Sequence, residues 1–82
     1  MDPEKLKLYK IWTDLRAQTQ LAWANRCLAY GEYRLAVAEG RSPRDLENKF
    51  DRLAAQHDIL RAKELFAEID FQKVIPEIQE VK

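Results

Sequence analysis

His57, Cys27 and fourteen scattered carboxylates are the groups in this 82-residue chain that could move a proton, attack an electrophile or hold a metal. Their spacing argues against each use. His57 falls between Leu53 and Leu60 on an apolar stripe, which predicts an imidazole packed or hydrogen-bonded at an interface rather than a general base. Cys27, the only thiol, has no histidine nearby in the sequence to activate it and reads as a small helix-packing residue. One cysteine makes no internal disulfide, and one cysteine with one histidine cannot complete a structural zinc site. Carboxylates such as Glu64 and Glu68, or Asp51 near Lys49, read as solvated helix surface, and no glycine-rich loop follows a strand to cradle phosphate. Neither catalysis nor a cofactor is expected.

A different chemistry runs through the first forty residues at steps of three and four. Tyr9, Trp12, Arg16, Thr19, Trp23, Arg26, Tyr30, Tyr33 and Val37 share one helical stripe. Tyr, Trp and Arg combine rigid apolar area with a polar or charged handle and carry most of the energy at binding surfaces. A plain core seam would favour Leu, Ile and Val. Tyr9, Trp12, Arg16, Trp23, Arg26, Tyr30 and Tyr33 are therefore the expected binding residues, with two uses open to them. As an interaction face, Trp12, Trp23, Tyr30 and Tyr33 enter the grooves of a protein partner while Arg16 and Arg26 bond carboxylates at the rim. As a ligand site between subunits, Tyr9 and Trp12 stack on a base and Arg26 meets a phosphate, enclosing a small phosphorylated ligand. A structural alternative makes the stripe the seam of a coiled-coil-like oligomer; Thr19 and the arginines count against a dry seam.

Lys plus Arg equals Asp plus Glu at 14 each, so no long-range field draws the chain to duplex nucleic acid or an anionic membrane. The opening residues Met1 to Lys5 lack the basic start and apolar run of a signal peptide, and no stretch reaches the ~18 apolar residues of a membrane span. The expectation is a soluble, cytoplasmic, non-catalytic binding or regulatory protein.

The elements that position the stripe are helices. Residues 3–39 are rich in Ala, Leu, Lys, Arg, Glu and Gln without internal proline, which predicts one helix of about 55 Å. Asp2 can cap it, with Pro3 at the first helical position and Glu4 suiting the positive end of the dipole. Gly31 is its weak point, marking a kink or, preferentially, a close helix contact. Gly40, Ser42, Pro43 and Asp45 read as C-cap glycine, N-cap serine, first-turn proline and capping-box acid. A second helix, about 43–70, then runs back antiparallel. Pro76 ends or kinks any helix before it, leaving 76–82 as a short helical turn or flexible tail. The fold class is an all-α antiparallel helical hairpin forming a single domain over 1–82.

Each helix carries more apolar faces than a hairpin can bury. The first bears a further stripe, Ala17, Leu21, Ala24, Leu28, Gly31, Leu35 and Ala38, and a set Ile11, Leu15, Ala22, Ala29 and Ala36. The second bears Leu46, Phe50, Leu53, His57 and Leu60 on one side, and Ala55, Ile59, Ala62, Phe66 and Ile69 on another. Large contiguous apolar patches are rare on soluble monomers, which predicts a homo-oligomeric helical bundle. The alternative is a third helix containing Phe71, Val74, Ile75 and Ile78 that folds back over the surplus.

Overall fold

A computed structural model describes residues 2–73, which form two helices packed against each other, α1 (Pro3–Ala38) and α2 (Arg44–Gln72), with no strand among them. The tail at 76–82 and the alternative third helix through Val74, Ile75 and Ile78 lie outside the described residues. Among the described residues no helix is long and apolar enough to cross a membrane.

The start of α1 follows from its first three residues. The Asp2 carboxylate accepts from the Glu4 N–H at 3.4 Å, and Pro3 occupies the first turn, where its missing N–H costs nothing. The end follows from Gly40, whose φ of +72° takes the left-handed conformation that costs glycine little. The Arg41 N–H donates to the Ala36 carbonyl at 2.9 Å and the Gly40 N–H to the Val37 carbonyl at 3.1 Å, the paired 6→1 and 5→2 bonds of a Schellman motif.

Two local expectations need correction. Ser42 does not cap α2. Pro43 holds the N-cap position with φ −91° and ψ 3°, makes no side-chain cap, and lends its carbonyl to the Glu47 N–H at 2.8 Å. Proline's backbone is already close to helical there, so the helix begins one residue later, with Asp45 and Glu47 facing the positive end of its dipole. Gly31 marks neither a kink nor a contact inside the hairpin: α1 runs through it unbroken, and a Cβ there would meet nothing within 4 Å.

The two helices meet along a strict seven-residue repeat. On α1 the residues withdrawn from solvent are Lys5, Leu8, Trp12, Leu15, Thr19, Ala22, Arg26, Ala29, Tyr33 and Ala36, with Thr13 beside them off the repeat; on α2 they include Leu46, Phe50, Leu53, His57, Leu60, Glu64, Ala67 and Phe71. Spacings alternating between three and four over this length make the seam of an antiparallel coiled coil. Ring pairs fix its register: Tyr9 with Phe71, Trp23 with His57 and Tyr30 with Phe50 lie 5.6, 5.1 and 5.6 Å apart, and the residue numbers in each pair add to 80. The hairpin is a slab 64 Å long and 14 Å thick, a single layer of helix. A single layer encloses little: among the described residues the buried apolar ones are Ala29, Ala36 and Ala67, and no large side chain is wholly buried.

Glu64 is also corrected from surface to seam. It is 6% exposed and satisfied by the Arg61 guanidinium one turn before it. Its place in the repeat, between Leu60 and Ala67, forces it inward whatever its charge. Removing the partner of a buried carboxylate leaves the desolvation penalty uncompensated, whereas replacing the carboxylate itself with an apolar group removes that penalty. Arg61→Ala is therefore expected to lower unfolding free energy by about 1–2 kcal/mol, and Glu64→Leu to leave it unchanged or raised, as read by urea denaturation.

Candidate functional site

The seven-residue repeat divides the surface of the slab into two faces. On one side of the α1 seam run Tyr9, Arg16, Trp23, Tyr30 and Val37; on the other run Ile11, Gln18, Asn25 and Glu32, backed by Leu21, Leu28 and Leu35. The stripe expected as one surface is thus two columns. Trp12, Thr19, Arg26 and Tyr33 point into the seam, and Tyr9, Arg16, Trp23 and Tyr30 flank it. Thr19 is buried and donates its hydroxyl to the Leu15 carbonyl at 2.8 Å, which satisfies it without a partner helix.

Among the described residues, Arg26 is the one seam cation held by rings. Its guanidinium lies 5.0 Å from the Trp23 ring centroid and 5.6 Å from that of Phe50, a cation–π clamp contributed by both helices. No carboxylate among the described residues lies within ion-pair distance of it. Around it, Trp23, Arg26, Cys27, Tyr30 and Phe50 line a shallow concavity of about 330 Å³, with Trp23 and Tyr30 each about half exposed. Cys27 is exposed in this wall rather than buried as a packing residue, because residue 27 falls outside the seam repeat. Rings that fix an arginine in place spare it the entropy of being ordered by a ligand, so its N–H groups are presented for a carboxylate or phosphate at reduced cost.

The remaining expected residues are placed elsewhere. Tyr9 and Trp12 join Phe71 in a three-ring cluster at the open end of the hairpin, with Trp12 stacked on Phe71 at 5.5 Å and 21°. Trp12 and Arg26 are four turns apart, about 21 Å along the axis, so one chain does not bring Tyr9, Trp12 and Arg26 around a common ligand. Arg16 lies 6.0 Å from the Trp12 ring, and Tyr33 sits in the seam beyond the concavity. Phe50 and Cys27 are the lining residues that sequence reasoning left out of the site. The signal for Phe50 is the hairpin register, which sets it level with Tyr30. His57, in the seam, packs its ring on Trp23 and sits 3.4 Å from the Asp58 carboxylate.

No protein-family model, curated protein or solved structure matches the chain.

Proposed function

We propose that this protein is a non-catalytic, self-assembling binding protein that acts through the face centred on Arg26, recognising and regulating a protein partner by an acidic side chain seated between Trp23 and Tyr30. The guanidinium of Arg26, clamped between rings and without an ion pair among the described residues, carries this reading. Two exposed aromatic rings beside it supply the apolar rim that excludes water from a charged contact. The partner segment that fits is an Asp or Glu flanked by an apolar residue, because the concavity joins one cation to apolar walls.

The test compares proteins that copurify stoichiometrically with the wild-type chain and with Arg26→Ala and Trp23→Ala, each variant first checked for intact helicity. Each substitution is expected to weaken capture of the same partner at least tenfold, about 1.4 kcal/mol. A partner retained equally by both variants would refute the assignment of this face.

A second reading takes the same concavity as a nucleotide site, favoured by the flat Trp23 and Tyr30 rings beside a guanidinium. A thermal melt against a nucleotide panel separates the two. A ligand at 100 times its dissociation constant adds about 2.7 kcal/mol of stability, and an unmoved melt across the panel removes this reading.

A further inference from the structure

We infer that the face opposite Arg26 is where a second copy of this chain docks, with the two hairpin tips at the same end and each α1 lying over the other copy's α2, to make a four-helix bundle that leaves both Arg26 sites outward. The inference rests on the self-assembly in the reading above and names the surface that performs it.

Leu21, Leu28 and Leu35 recur every seven residues on the outer edge of this face, and Leu21 and Leu28 are 65% and 67% exposed. Ile59 and Phe66, also seven apart, form the matching edge on α2, with Phe66 69% exposed. Between the edges the helix junction is grooved in two stretches, one near the middle lined by Gln18, Leu21, Asn25, Gln56 and Ile59 and one toward the open end lined by Ile11, Leu15, Lys63, Phe66 and Asp70. The five large apolar side chains of the two edges, Leu21, Leu28, Leu35, Ile59 and Phe66, are each more than half exposed, an apolar face of the kind that a stable interface between copies buries.

Gly31 adds an independent point. A glycine inside a helix costs about 1 kcal/mol relative to alanine, yet the space where its Cβ would stand is empty for 4 Å. Nothing inside the hairpin requires glycine there. Its neighbours in the repeat, Ala17, Ala24 and Ala38, are small and exposed as well, and all four edge the leucine ridge, where a neighbouring helix can come close.

The charges select a second copy over an unrelated helix, because the face is complementary to itself. Beside the groove α1 carries Lys7, Asp14 and Glu32, and α2 carries Asp70, Lys63, Arg52 and Lys49. Lys49 and Glu32 pair within the chain at 3.4 Å, whereas Lys7, Asp14, Lys63 and Asp70 make no ion pair among the described residues. A two-fold axis along the hairpin keeps residues at their own level and sets α1 over the second copy's α2. Lys7 then meets Asp70 of the other copy, and Asp14 meets its Lys63. The tip-to-tail alternative sets α1 over α1 and leaves those pairs unmade.

The experiment is light scattering after size exclusion, with circular dichroism as the folding control, on the full chain and its variants. The wild type is expected to be dimeric at 50 µM. Leu28→Lys, at an exposed position level with Arg52 of the other copy in the aligned arrangement, should weaken the dimer at least 100-fold with helicity unchanged, while Trp23→Ala remains dimeric. Asp14→Lys should weaken the dimer about two- to fivefold, in keeping with the small worth of exposed ion pairs, and Asp14→Lys with Lys63→Glu should restore it. A wild type monomeric at 200 µM overturns both this inference and the self-assembly beneath it. A dimer that survives Leu28→Lys but is lost in Trp23→Ala overturns this inference alone and moves the contact to the aromatic face. A dimer indifferent to Asp14→Lys overturns the aligned arrangement.

Discussion

Trp12→Ala is expected to lower the unfolding free energy of the hairpin by about 3 kcal/mol, the largest loss from any single truncation in the chain. Trp12 stands in the seam, stacks on Phe71 and meets Tyr9 edge to face at 6.1 Å, so alanine there forfeits both the apolar area and two oriented ring contacts. Truncating a buried Trp typically costs 3–5 kcal/mol, and the lower end applies because Trp12 is only half buried. A small single core supplies about 3–5 kcal/mol in total, so the variant should be largely unfolded at 37 °C unless assembly holds it. Urea denaturation followed by circular dichroism reads the change directly. A loss below 1 kcal/mol would show that the three-ring cluster contributes little to the fold.

Ala36→Leu is expected to cost close to 3 kcal/mol by the opposite route, the upper end of the range for overpacking. Ala36 has no exposed surface and stands on the last turn of α1, where its carbonyl receives the Arg41 N–H of the Schellman motif. Three added carbons can be housed there only by parting the helices or undoing the turn. The same substitution at Ala38, which is exposed on the outer edge, should leave unfolding within 0.5 kcal/mol of wild type. Equal effects at the two positions would refute the alanine-packed seam.

The hairpin itself was legible in the chain. Asp2 and Pro3 mark where α1 starts, Gly40 marks where it stops, and the α2 stripe Leu46, Phe50, Leu53, His57 and Leu60 is the one that faces α1. The count of apolar faces required one surplus stripe on each helix without saying which; the exposed ones are Leu21, Leu28 and Leu35 on α1 and Ile59 and Phe66 on α2. The division of the aromatic stripe was not legible, and the cause is geometric. A straight helix drifts by about 20° per heptad against a seven-residue repeat, so over five heptads a 100° wheel merges the seam column of Trp12, Arg26 and Tyr33 with the flanking column of Tyr9, Trp23 and Tyr30. Glu64 was misplaced because its charge was weighed before its place in the repeat. Phe50 escaped notice as a wall of the site because its relation to Arg26 exists only once two distant segments are in register.

The rule that paired residues add to 80 also orders events in time. Loop closure grows more costly with the length of chain closed, so Tyr30 and Phe50 can come together long before Tyr9 and Phe71, which enclose three times as many residues. Folding should nucleate at the bend held by Gly40 and travel outward like a zip, and thermal fraying should retrace the route from the free ends. Amide exchange would then rise steadily with distance from the bend, and the Arg26 clamp, lying nearer the bend than the end, would persist through openings that scatter the terminal rings.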